Sequence, residues 1–141
     1  MNESRKVAYA FIDASNVWNA VKSVKKFIEY KVLKKYLENR LNVDKVEVFY
    51  YDAYPKDGTR EYDLDGKHKF YIYLKKGLGF TVRKKELKRI SVIGRSGGAV
   101  IEKGNMDVEL TIDALQNINR YSVAAPFSGD ADFLALVNYL K

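Results

Sequence analysis

Cysteine is absent from this chain and histidine occurs once. A disulfide framework and a thiolate metal centre are therefore excluded, and a zinc site or a histidine-based triad has almost nothing to be built from. Any metal would be held by oxygen ligands, which suit magnesium, manganese or calcium. Long apolar runs are lacking too. The longest near the start, Val7 to Ile12, is far too short to span a bilayer, and no signal-type segment follows Met1 to Lys6. The expectation is a soluble, cytoplasmic protein with no membrane partner. With no repeat, linker or low-complexity tract, the chain reads as a single domain over residues 1–141.

What is present is positive charge and aromatic bulk. Twenty-five Lys and Arg against 18 Asp and Glu give a net charge of +7. Such a balance suits an acidic partner, nucleic acid or an anionic membrane surface, with plain solubility as the alternative explanation. A hydrophobic fraction of 47%, with 11 tyrosines and 7 phenylalanines, suffices for a substantial core.

Strand and helix patterns alternate along the chain. Val7 to Asp13 is a continuous apolar run of the kind found in buried parallel strands. A helix is expected from Val17, then another over Tyr30 to Leu41 with Leu33, Tyr36, Leu37 and Leu41 on its apolar face. Val46 to Ala53 reads as a second strand, Glu61 to Lys76 as a helix, and Phe80 to Val82 as a short strand passing into basic residues. Ile90 to Ile93 and Ala99 to Glu102 flank a glycine-rich turn and predict a hairpin. Asp107 to Asn119 is expected to be helical, with Val108, Ile112, Leu115 and Ile118 toward the sheet. Ser122 to Phe127 predicts a further strand and Ala131 to Leu140 a last helix. The alternation implies a three-layer α/β fold, a mainly parallel sheet of four or five strands with helices on both faces.

Against this basic background, acids stand where strands end or helices begin: Asp13 in FIDASN, Asp107 in KGNMD, and Asp130 and Asp132 in SGDADF. Open α/β sheets bind ligands at the C-terminal ends of their strands. Two carboxylates 5 Å apart repel by ~3 kcal/mol at an effective dielectric near 20, so a cluster of them calls for a cation or bound protons. Magnesium with few protein ligands keeps water, and that water can attack a phosphodiester. Asn16 either orients a water or phosphate oxygen or caps a helix, and Ser128 either supports the carboxylates or caps its turn. Asp113, six residues beyond Asp107 and about 240° further round a helix, is an accessory position. Glu109 is expected on a solvated face. A basic track of Lys84, Lys85, Lys88, Arg95 and Lys103 could hold a phosphate backbone, and Tyr50, Tyr51, Tyr54, Tyr71 and Tyr73 either stack on bases or fill the core. His68 is assigned no role.

FIDASN, KGNMDVELTIDAL and SGDADF in succession, together with FYYDAYP and FYIYLKKGLGFTVRKKELK, resemble the NYN domain of the PIN-like nuclease superfamily in its LabA-like bacterial and archaeal branch. The resemblance implies a Rossmann-like PIN fold and a ribonuclease acting on RNA. It implies magnesium or manganese held by Asp13, Asp107, Asp130 and Asp132, with Asn16 as polar companion. Such domains usually continue into another strand and helix, so the chain is expected to stop short of these. The Ser122 strand, with Pro126 in it, would then be a sheet edge open to pairing in a homodimer. The competing readings are a catalytically weak RNA-binding module that keeps the pocket, and a nucleotide-binding domain or phosphatase of another superfamily. The last needs a phosphate loop or a nucleophilic DxD aspartate at the first strand, and FIDASN supplies neither.

Overall fold

The structure is a computed structural model that describes residues 6–14, 29–56, 58, 64–94 and 97–127. Four strands form one parallel sheet in the order β3-β2-β1-β6: β1 (Val7–Asp13), β2 (Lys45–Tyr54), β3 (Thr81–Glu86) and β6 (Val123–Phe127). Helix α1 (Tyr30–Leu41) precedes β2, and α2 (Asp65–Ile72), continued by a wider turn over Tyr73–Gly77, precedes β3. An antiparallel ribbon of β4 (Lys88–Gly94) and β5 (Gly97–Lys103) leads to α3 (Asp107–Gln116). The α/β class, the mainly parallel sheet and the hairpin follow the sequence pattern, and among the described residues the proline-bearing strand stands at the sheet edge, as the resemblance implied.

Both faces of the sheet are covered, as side-chain alternation demands. Ala8, Ala10, Ile12, Val46, Val48 and Tyr50 point to one face and pack with Leu37 of α1 and Tyr71 of α2. Tyr9, Phe11, Phe49 and Tyr51 point to the other, where Met106, Leu110 and Ala114 close over them. Phe11 and Phe49 stack there with ring centroids 5.3 Å apart.

Several expectations need correction. Of the helix expected over Glu61 to Lys76, residues 61–63 lie outside the described residues, and the described part is α-helical over Asp65–Ile72 and wider over Tyr73–Gly77; Gly79, at a φ of +72°, turns the chain into β3. Arg83, Lys84 and Lys85 lie within β3 rather than beyond it. Tyr36, expected on the buried face of α1, is 60% exposed. The largest reversal concerns α3. Val108, Ile112, Leu115 and Ile118 are on its outer side, Val108 at 66% exposure, while Leu110, Asp113 and Ala114 are buried. The helix carries two stripes at helical spacing, and the one that faces the sheet contains an aspartate whose charge is met by partners on the strands. The expected helices over 17–28 and 131–140 lie outside the described residues.

Candidate functional site at the C-terminal edge of the sheet

Asp13 is the last residue of β1 and is buried at 6% exposure. It pairs in register with Tyr51 and, by alternation from Phe11, lies on the face covered by α3. Asp107 is the first residue of α3, directly after Met106, which packs in that same aromatic cluster. The fold therefore delivers both carboxylates to one face at one edge, from positions far apart in the chain. Asp107 Oδ1 is shut off from solvent. The Asn105 side chain accepts a 2.9 Å hydrogen bond from the Asp107 N–H, which fixes the entry into the helix.

The chain reaches Asp107 by a close approach. A Cβ on Gly104 would overlap Leu87 Cδ2 and stand 2.5 Å from Ala53 Cβ, so only glycine lets the return from β5 pass there. Leu87 is itself tied to the edge, its N–H donating to the Tyr54 carbonyl at 2.7 Å. Both feet of the β4–β5 ribbon are thus anchored against the ends of β2 and β3, three residues from Asp107.

Two ion pairs join β3 to α3 below this edge. Arg83 donates to Asp113 through Nε and an amino nitrogen, both at 3.1 Å, and the Tyr51 hydroxyl donates to the same carboxylate at 2.8 Å. Lys85 Nζ meets Glu109 Oε1 at 3.0 Å. The bond to Asp113 raises the Arg83 pKa further, while burial, then that same carboxylate, pushes the Tyr51 hydroxyl well up. Asp113 is thereby held by Tyr51 and Arg83 rather than turned toward Asp107. Glu109, expected on a solvated face, instead bridges to the sheet, and its Oε2 is buried with no hydrogen bond from any described residue.

A second polar group lies across the edge, on the face of α1 and α2. Asp52, 9% exposed, accepts a 2.6 Å bond from the Tyr71 hydroxyl and a 3.2 Å contact from Lys67. Burial and then Asp52 drive the Tyr71 hydroxyl pKa well up. Lys84, in register with Asp52, holds its Nζ 5.1 Å from the Tyr71 ring centroid. His68 is half-buried and packs edge-on to Tyr54 rather than standing in solvent. Sequence reasoning passed over Asp52, although an acid inside the apolar run FYYDAY is the signal of a paired buried charge. Of the tyrosines weighed for base stacking, Tyr50, Tyr51 and Tyr71 are core, and Tyr73 is 41% exposed.

Among the described residues no three acids or histidines form a group able to hold a metal ion. Asn16, Arg95, Ser128, Asp130 and Asp132 lie outside the described residues. Lys88 is exposed, and Lys103 ends β5. No described helix is long and apolar enough to cross a membrane.

The parallel α/β sheet, with Asp13 ending β1 and Asp107 beginning α3, was then compared with known proteins. The NYN domain model matches residues 8–141, and the chain belongs to that family, a branch of the PIN-like nuclease superfamily whose members typically use divalent metals. It is similar to the low amplitude and bright protein LabA of Synechococcus elongatus, 28% identical over 135 residues that make up 93% of this chain and 66% of that protein. The chain thus spans just under two thirds of that relative's length. A crystal structure of a Vibrio parahaemolyticus protein of unknown function superposes with a TM-score of 0.63 and 22% identity over 99% of this chain and 77% of that one, a likeness of fold alone.

Proposed function

We propose that this protein is a metal-dependent ribonuclease that hydrolyses RNA phosphodiester bonds at the sheet edge where β1 ends at Asp13 and α3 begins at Asp107. The observation that carries the reading is that Asp13, buried at the end of β1, and Asp107, with its Oδ1 shut off from solvent at the start of α3, come to the same edge of the sheet in a chain of the NYN family. Asp13, Asp107, Asp130 and Asp132 would hold the ion as an oxygen-only ligand set, which fits magnesium or manganese. A divalent ion there supplies Lewis acidity to a water and to the phosphate under attack. The carboxylates bind and orient. Asn105 and Gly104 set where α3 starts, and the ion pairs from β3 keep that helix fixed on the sheet. Lys88 and the basic ribbon it begins would lie along the phosphate backbone by charge alone, independent of base sequence.

Cleavage of labelled RNA and DNA is measured with magnesium, manganese or chelator, beside Asp13→Asn and Asp130→Asn. RNA cleavage that needs the metal, and a loss of at least about 100-fold in either variant, the upper end of what losing an outer ligand partner costs, is the expected result. Undiminished cleavage in chelator or in the variants would overturn the assignment. RNA retention without cleavage would transfer it to a binding module.

The reading also includes a homodimer through the β6 edge, with a cytoplasmic location. A single-chain mass by light scattering across a wide concentration range counts against the dimer.

A further inference from the structure

The basic residues of β3 are divided between two faces by the pleat, and this separates their roles. Arg83 and Lys85 turn toward α3, where Asp113 and Glu109 compensate them. Lys84 turns the other way, onto the face of α2, where its Nζ lies over the Tyr71 ring; the Tyr71 hydroxyl donates to Asp52, and Lys67 pairs with that same carboxylate. Two ammonium groups against one carboxylate leave a positive charge in excess at the sheet edge.

We infer that Lys84 and Lys67, positioned by Tyr71 and Asp52, form a phosphate-binding notch for a single RNA strand that crosses the sheet edge from the acidic side to the α2 side. The inference rests on the ribonuclease reading and extends it with a path for the strand. An ammonium over a ring face directs at most part of its N–H groups at the ring, so Lys84 keeps donors for a ligand, and Lys67 keeps those not directed at Asp52. Both side chains are held before a ligand arrives, which reduces the ordering cost of binding. Lys84 is exposed and Lys67 is 33% exposed, so both can be reached. Tyr71 is a positioning residue. Its hydroxyl is anchored on a buried carboxylate at 2.6 Å, and that fixes the ring on which Lys84 rests. In register, Asp13 faces Tyr51 and Tyr51 faces Arg83, so Arg83 stands two strand spacings, about 10 Å, from Asp13, and Lys84 follows one residue further along the strand with its side chain on the opposite face. Lys75 and Lys76 sit at the other end of the sheet, before β3 begins, and are out of reach of this path.

The test uses the full chain in chelator with a short single-stranded 2′-O-methyl oligoribonucleotide, its affinity measured across a range of salt concentrations. Each phosphate contact on a single strand contributes about 0.7 to the slope of log affinity against log salt. Lys84→Ala and Lys67→Ala should each lower that slope by about 0.7, Lys84→Arg should restore it, and Lys75→Ala should leave it unchanged. Tyr71→Leu should lower it like Lys84→Ala, whereas Tyr71→Phe, which keeps the ring, should lower it less. Slopes for Lys84→Ala and Lys67→Ala equal to wild type, beside a reduced slope for Lys88→Ala, would overturn the notch and leave the ribonuclease reading standing. A wild type that does not bind the oligonucleotide in chelator removes the notch, whereas the ribonuclease reading stands or falls by the cleavage assay.

Discussion

Arg83 on β3 and Asp113 on α3 form a two-pronged ion pair with both contacts at 3.1 Å, across 30 residues of sequence. Lys85 and Glu109 repeat the pairing one rung closer to the site. Two residues along a strand advance ~6.7 Å and four along a helix ~6 Å, so a helix running against β3 can meet it at both rungs. Arg83→Ala would leave the buried Asp113 with the Tyr51 hydroxyl alone. Unfolding in urea should become easier by about 1–3 kcal/mol, toward the lower end because the guanidinium is half exposed and solvent-screened. Arg83→Lys, which lacks the fork, should recover part of that. A midpoint for Arg83→Ala equal to wild type would remove the pair as an anchor of α3.

Gly104→Ala should destabilise the fold by about 1–3 kcal/mol through overpacking. The added methyl meets Leu87 and Ala53. Combining it with Ala53→Gly should recover more than additivity allows, by at least about 0.5 kcal/mol in a double-mutant cycle. Thermal or urea unfolding of the two single variants and the pair reads this directly.

The two stripes of α3 should respond unequally. Leu110→Ala removes a fully buried side chain and should cost about 2–5 kcal/mol. Val108→Ser, at a position 66% exposed, should stay within about 0.5 kcal/mol of wild type. Equal costs in urea unfolding would return Val108 to the interior.

Alkaline pH should unfold the protein through its buried tyrosines. Tyr50, Tyr51 and Tyr71 all have hydroxyl pKa values raised from 10.0, first by burial. The native state therefore holds these protons more tightly than the unfolded chain. Their contribution to stability is full below the ordinary tyrosine value near pH 10 and is lost as pH rises above it, by up to about 1.4 kcal/mol per pH unit for each tyrosine. Urea midpoints between about pH 9 and 11 should show the decline. Tyr71→Phe should make it shallower, and an unchanged slope would count against Tyr71 titrating late.

Strand β1, the hairpin and the positions of Asp13 and Asp107 at element ends were legible in the sequence. Local periodicity and turn chemistry act over a few residues, and these features depend on nothing else. The buried stripe of α3 was not legible, because Val108 and Ile112 are more apolar than Asp113 and only a distant arginine and tyrosine make burying that aspartate favourable. Asp52 escaped notice for the same reason, its partners Tyr71 and Lys67 being 19 and 15 positions further along.

The chain's own order of residues settled an α/β sheet of parallel strands, no thiol chemistry, and acids placed where strands stop. Tertiary structure alone decided which lysine meets an acid and which stays open, since neighbours on β3 are sent to opposite faces and each charge is judged by what the other elements bring to it.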